Sequence, residues 1–169
     1  MLGGSYSHAR SEGVSYRAPQ DFDESKFLPF AGLTLELTPS ISAYASYATI
    51  FNPQTEFDAD NVLLDAVTGD NIEAGLKGEW MGGRLFASAA VFRANQKNTA
   101  EAAGFDATLG RTIYTGVDAK SEGLEFEIAG SPMEGLQLTG GFTAMRIVGE
   151  NGEAARTFVP RRTARLNAV

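Results

Sequence analysis

Hydropathy that alternates residue by residue, in segment after segment along the whole chain, constrains this sequence more than any other feature. A period of two sends successive side chains to opposite faces of a strand, so the chain must form sheet with two chemically different sides. The clearest instances are Leu124-Glu125-Phe126-Glu127-Ile128 and residues 71–80, where Ile72, Ala74, Leu76, Gly78 and Trp80 alternate with Glu73, Gly75, Lys77 and Glu79. Residues 27–37 set Ala31, Leu33, Leu35 and Leu37 against Gly32, Thr34 and Glu36. Residues 136–148 set Leu136, Leu138, Gly140, Phe142 and Ala144 against Gln137, Thr139, Gly141, Thr143 and Met145. Residues 41–51 also read as a strand, but both faces are fairly apolar and its orientation stays open.

The connections are of two kinds. Thr38-Pro39-Ser40, Met81-Gly82-Gly83 and residues 131–135 are short, with Pro presetting φ and Gly supplying turn conformations. Residues 11–26, 52–70, 95–111 and 149–156 are polar and are expected to be long loops; the first carries Glu12, Arg17, Asp21, Asp23 and Glu24. With further strands at 1–10, 84–94, 112–130 and 157–169, the reading is about eight strands in antiparallel, up-and-down order. Short connections then fall at one end and long ones at the other, as in outer-membrane barrels with short periplasmic turns and long external loops. A soluble lipocalin-like barrel or a β-sandwich has some of this rhythm, and the pattern alone leaves those open.

Composition removes several classes of function. There is no cysteine and only one histidine, His8, which leaves no thiol chemistry, disulfide, iron–sulfur ligation or ordinary zinc site. The net charge of −7 argues against a general nucleic-acid surface. Met1-Leu2-Gly3-Gly4 has neither the basic nor the apolar region of a secretory signal. No apolar run reaches the roughly 18 residues of a spanning helix, a test that membrane strands of about 9 to 11 residues escape.

If the sheet spans a bilayer, charge decides which side faces lipid. An Arg or Lys at mid-bilayer depth costs roughly 2–4 kcal/mol on the lipid side, with Asp and Glu costing less, whereas a lumen-facing charge meets water. Glu73, Lys77, Glu79, Glu125 and Glu127 are therefore expected to face the lumen, and Leu76, Leu124, Phe126, Leu138 and Phe142 to face lipid. Trp80 beside a short turn and Phe51 beside a long loop suit the two aromatic girdles.

Other constellations reduce to blander readings. In Glu56-Phe57-Asp58-Ala59-Asp60-Asn61 the EF-hand spacing fails, because Val62 stands where Asp or Asn is required and no Gly follows. Gly82-Gly83 and Gly140-Gly141 lack the strand-to-helix setting and the Lys of a phosphate loop. Glu125 and Glu127 share a strand face about 6–7 Å apart, a spacing that suits glycoside hydrolysis by distance alone. No sugar platform accompanies them, and no enzyme is expected. Of the basic run Arg156, Arg161, Arg162 and Arg165, a period of two turns Arg161 and Arg165 one way and Arg162 the other; lumen or interface positions are preferred for them over phosphate binding.

The segment NIEAGLKGEWMGGRLFASAAVFRANQKN, residues 71–98, resembles a strand-turn-strand hairpin of TonB-dependent ferric-siderophore receptors, of the subgroup that takes up pyoverdine, coprogen and related hydroxamate chelates. Residues 29–54, 121–146 and 157–166 resemble further parts of the same barrel, in family order. The resemblance implies a transmembrane barrel of about 22 strands around an N-terminal plug, in the outer membrane of a Gram-negative cell. It implies too that residues 1–169 are a partial barrel domain, roughly a third of the whole, with plug, TonB box and signal peptide absent.

By the same resemblance the ligand is a ferric siderophore, the energy source is the TonB-ExbB-ExbD system acting through N-terminal parts, and the surrounding phase is outer-membrane lipid. The iron arrives inside the siderophore, so neither a cofactor nor a protein metal ligand is expected. A ferric chelate offers a polar or anionic surface over an apolar body, and the loop residues of matching chemistry are Phe57, Phe105, Arg111 and Tyr114. The segment is not expected to transport by itself. Two rival readings are a self-contained eight-strand outer-membrane barrel with a structural or adhesive role, and a soluble binding barrel.

Overall fold

A computed structural model of the chain describes residues 1–15 and 18–169, so Arg17 lies outside the described residues. Its strands are β1 (Leu2–Ser11), β2 (Val14–Ser15), β3 (Ala18–Pro19), β4 (Phe22–Thr38), β5 (Ile41–Asn52), β6 (Val67–Trp80), β7 (Leu85–Asp106), β8 (Arg111–Met133), β9 (Leu136–Gly149) and β10 (Arg162–Ala168). Eight of them form one sheet in the order β1-β4-β5-β6-β7-β8-β9-β10, and β2 pairs with β3 in a separate ribbon. Every pairing is antiparallel. The sheet is the expected all-β meander, and it is open, with β1 and β10 at its edges.

The short turns follow from their residues. Met81, Gly82 and Gly83 take φ of 58°, 64° and 83° in succession, a left-handed path that two glycines make inexpensive. Gly135, at φ 76°, closes the two-residue turn between β8 and β9.

Several expected boundaries are wrong, mostly in one direction. Residues 95–111 are not a loop: β7 continues to Asp106, β8 starts at Arg111, and the pairing runs out to Asp106↔Arg111. Lys97, Glu101 and Asp106 leave this extension polar on both faces, which erases the alternation without preventing backbone pairing. For the same reason β4 begins at Phe22 and β6 at Val67, inside the stretches read as 11–26 and 52–70. At the other end β8 carries on through Pro132 to Met133, past an irregularity beyond Gly130. The last strand is shorter than expected: residues 157–161 form turns and bends, Val159 N donates to Arg156 O at 3.0 Å, and Pro160 has no N–H for a ladder.

The register sorts side chains into rungs that cross the sheet. On one side these are Tyr47-Ile72-Arg93-Glu122-Arg146, Ala45-Ala74-Val91-Leu124-Ala144-Arg162, Ala43-Leu76-Ala89-Phe126-Phe142-Ala164, Ile41-Gly78-Ala87-Ile128-Gly140-Leu166 and Trp80-Leu85-Gly130-Leu138-Ala168. On the other they are Ser46-Glu73-Phe92-Gly123-Met145, Tyr44-Gly75-Ala90-Glu125-Thr143-Thr163, Ser42-Lys77-Ser88-Glu127-Gly141-Arg165 and Glu79-Phe86-Ala129-Thr139-Asn167. We call these the leucine face and the glutamate face. The register also orients β5, with Ser42, Tyr44 and Ser46 on the glutamate face.

Little of the leucine face is covered. Leu33, Leu35 and Val91 are 70%, 60% and 61% exposed, and no large side chain of the described residues is fully buried. An apolar band this broad, left in contact with the surroundings, is the mark of a surface made for another apolar phase. The buried apolar residues Val67, Ala90, Ala119 and Ile147 all lie on the glutamate face, joined by Phe57 and Ala66 from the loop between β5 and β6.

Candidate functional site

The glutamate face is a polar wall built on glycines. Gly75 leaves room for the Tyr44 ring, which crosses it to place its hydroxyl 2.5 Å from Glu73 Oε1 as donor, while Lys77 Nζ stands 5.8 Å from the ring centroid. Across β8, β9 and β10, Arg165 extends over Gly141 and its Nη2 donates to Glu127 Oε1 at 3.0 Å. Glu36, Ser42, Lys77, Glu79, Phe86 and Glu127 line a concavity of about 550 Å³ near the short turns. Carboxylates outnumber cations on this surface, so it can hydrogen-bond a polar body or receive a basic one.

All five residues expected to face the lumen, Glu73, Lys77, Glu79, Glu125 and Glu127, share this face. Leu76, Leu124, Phe126, Leu138 and Phe142 share the other. Trp80 lies on the leucine face beside the short turn, its ring folded back over Gly78, and Phe51 lies on the same side near the opposite end.

At the long-connection end the loop between β5 and β6 is tied down by a polar hub. Gln54, 9% exposed, donates through Nε2 to Asp65 O and Asn98 O, both at 2.6 Å, and accepts from Ala100 N at 3.2 Å. Asn98 adopts φ 59° in the bulge between Gln96 and Thr99; it donates through Nδ2 to Asp65 O at 2.6 Å, and its N–H donates to Asp118 Oδ1 at 2.9 Å. Asn tolerates that left-handed position better than most residues. Sequence reasoning missed Gln54, Asn98 and Asp118 entirely. The one local signal was an Asn inside a strand-like run.

Three of the four residues expected to meet a ligand come together beside this hub. The Arg111 guanidinium lies 4.4 Å from the Phe57 ring centroid and donates to Asn61 Oδ1, and Tyr114 N donates to Phe57 O at 2.9 Å. Phe57 and Arg111 are only 4% and 5% exposed, so they hold the loop base together and are not presented to solvent here. Tyr114 is half-buried. Phe105 stands apart near the tip of the β7–β8 hairpin, 66% exposed.

Comparison with known proteins gives one consistent answer. Residues 1–169 match the family described as "TonB dependent receptor-like, beta-barrel". The ferripyoverdine receptor of Pseudomonas aeruginosa is 34% identical over 171 aligned residues, covering 95% of this chain and 20% of that protein. The crystal structure of the ferripyoverdine receptor of that organism bound to ferripyoverdine superposes with a TM-score of 0.83 at 33% identity, covering 99% of this chain and 23% of that one. The alcaligin receptor of Bordetella pertussis superposes with a TM-score of 0.79 at 26% identity, covering 99% and 30%. The chain thus spans about a fifth of the length of the curated relatives it matches.

Proposed function

Because this chain belongs to the TonB-dependent receptor β-barrel family, outer-membrane proteins of Gram-negative bacteria, we propose that it forms one wall of a receptor that takes up a ferric siderophore. The observation that carries this reading is the two-faced rung pattern: a broad apolar surface against lipid, a carboxylate-rich surface against a wet lumen, and both sheet edges left for further strands. In lipid, open edges would leave backbone groups unsatisfied at several kcal/mol each, which disfavours a self-contained eight-strand barrel.

The ligand class we propose is a pyoverdine-type or other hydroxamate chelate, in keeping with the relatives' names. Tyr114 and Phe105 are the residues of this segment proposed to meet it, while Phe57 and Arg111 act by shaping the loop between them. TonB-ExbB-ExbD would supply energy through parts of the receptor outside this segment.

The test is uptake. Iron-starved cells expressing the whole receptor should accumulate radioactive iron from a ferric pyoverdine or hydroxamate, and loss of TonB should abolish that accumulation. Uptake that is unchanged when the receptor gene is deleted from a strain with no other receptor for that chelate would overturn the reading.

A further inference from the structure

The leucine face changes character abruptly one rung above Val91 and Leu124. There Arg93, Glu122 and Arg146 stand side by side on β7, β8 and β9. Arg93 Nε lies 3.5 Å and Lys120 Nζ 3.1 Å from Glu122 Oε2, while Arg146 Nη2 lies 3.0 Å from Oε1. Arg162 enters from β10, facing Ala144. Three cations thus crowd one carboxylate, with Arg162 one rung below them, in a chain whose overall charge is −7. Arg93 and Arg146 keep 55% and 69% of their side-chain surface exposed.

The position matters as much as the charge. From Trp80 to Ile72, the rung partner of Arg93, is about 27 Å of strand at about 3.4 Å per residue, or roughly 20 Å of height at a tilt of about 40°. That is close to the full height of the apolar band, roughly 25 Å. The cations therefore sit at the edge of the hydrocarbon on the long-connection side. Directly below them is a depression of about 390 Å³, with Val91, Leu124 and Ala144 on its apolar floor and Glu122, Arg146 and Arg162 at its rim.

We propose that this depression seats a phosphorylated lipid of the outer leaflet, an acyl chain lying on Val91, Leu124 and Ala144 and a headgroup phosphate held by Arg146 and Arg162, with Arg93 and Lys120 adding charge beside them. Glu122 fixes Arg93, Lys120 and Arg146 in place from their centre. Guanidinium groups match phosphate geometry in bidentate fashion, and each basic residue at an anionic leaflet strengthens attraction. The sequence-based expectation for the basic run preferred lumen or interface positions over phosphate binding; the proposal keeps Arg162 at the interface and departs from that preference by giving it a phosphate. The proposal rests on the reading of the leucine face as lipid-facing.

The test measures binding of diphosphorylated lipid A, the same lipid with its phosphates removed, and inorganic phosphate to the whole receptor in detergent, by native mass spectrometry. The comparison is with Arg146→Gln/Arg162→Gln, its folding checked by heat-modifiable mobility. Loss of two cations should weaken lipid A binding about thirtyfold, on the order of fivefold per charge, and removing the phosphates from the lipid should have a similar effect on the unaltered receptor. Equal binding by the double variant, or displacement of the lipid by millimolar inorganic phosphate, would overturn the proposal. A fluorophore on Val91→Cys in bilayers separates the two ideas: quenching by lipid-borne spin labels keeps the lipid-facing reading even where the phosphate site fails, and absence of quenching removes both.

Discussion

Arg165 and Glu127 meet at 3.0 Å across a glycine: Gly141 stands between them on the same rung, and its missing side chain is the path the guanidinium takes. The pair joins β10 to β8 on the face that carries most of the carboxylates.

Both members are well exposed, at 74% and 56% of their side-chain surface, so the pair is expected to orient the arginine more than to stabilise the sheet. A double-mutant cycle with Arg165→Ala and Glu127→Ala, read from urea unfolding of the folded receptor in detergent, should give a coupling below about 1 kcal/mol. A value well above that would mean the glutamate face is much drier than a water-filled lumen.

Neighbouring positions on opposite faces of the β7–β8 pair should respond oppositely to charge. Phe126 packs on the rung beside Phe142, near the middle of the apolar band, while Ser88 lies on the rung of Glu127. Phe126→Arg is expected to destabilise the receptor in bilayers by roughly 2–4 kcal/mol, and Ser88→Arg by a small fraction of that. Equivalent losses at the two sites would contradict the assignment of faces.

The hub at Gln54 makes a third prediction. Gln54→Ala removes a partner from Asp65 O, Asn98 O and Ala100 N. Leaving buried polar groups unsatisfied costs about 1–3 kcal/mol, concentrated on the loop. Proteolytic cleavage within residues 53–66 of the folded receptor should speed up roughly tenfold, with the barrel's own melting little changed. An unchanged cleavage rate would show that the loop is held by other means.

How far the sequence could be read depends on where each residue stands. Leu124 to Ile128 announced both faces because one side of that segment is apolar and the other charged, and Met81-Gly82-Gly83 announced its turn because a left-handed path favours glycine. The extension of β7 and β8 past Lys97 was illegible for the converse reason. Polar residues on both of its faces give no alternation, although its backbone pairs on through two bulges as far as Asp106↔Arg111. Phe57 and Arg111 were picked for their chemistry, which a sequence displays; their burial against each other comes from a loop fold that Gln54 holds through hydrogen bonds to distant backbone carbonyls.

The central claim is that the glutamate face is the wet inside of a receptor wall and the leucine face its lipid side. Labelling of single cysteines in the whole receptor, assembled in bilayers, tests it most directly. Glu127→Cys should react with a water-soluble thiol reagent and escape lipid-borne quenchers, and Phe126→Cys, one residue away, should be quenched by lipid-borne probes and resist the aqueous reagent. The reverse pattern, or equal behaviour at the two positions, would contradict the account.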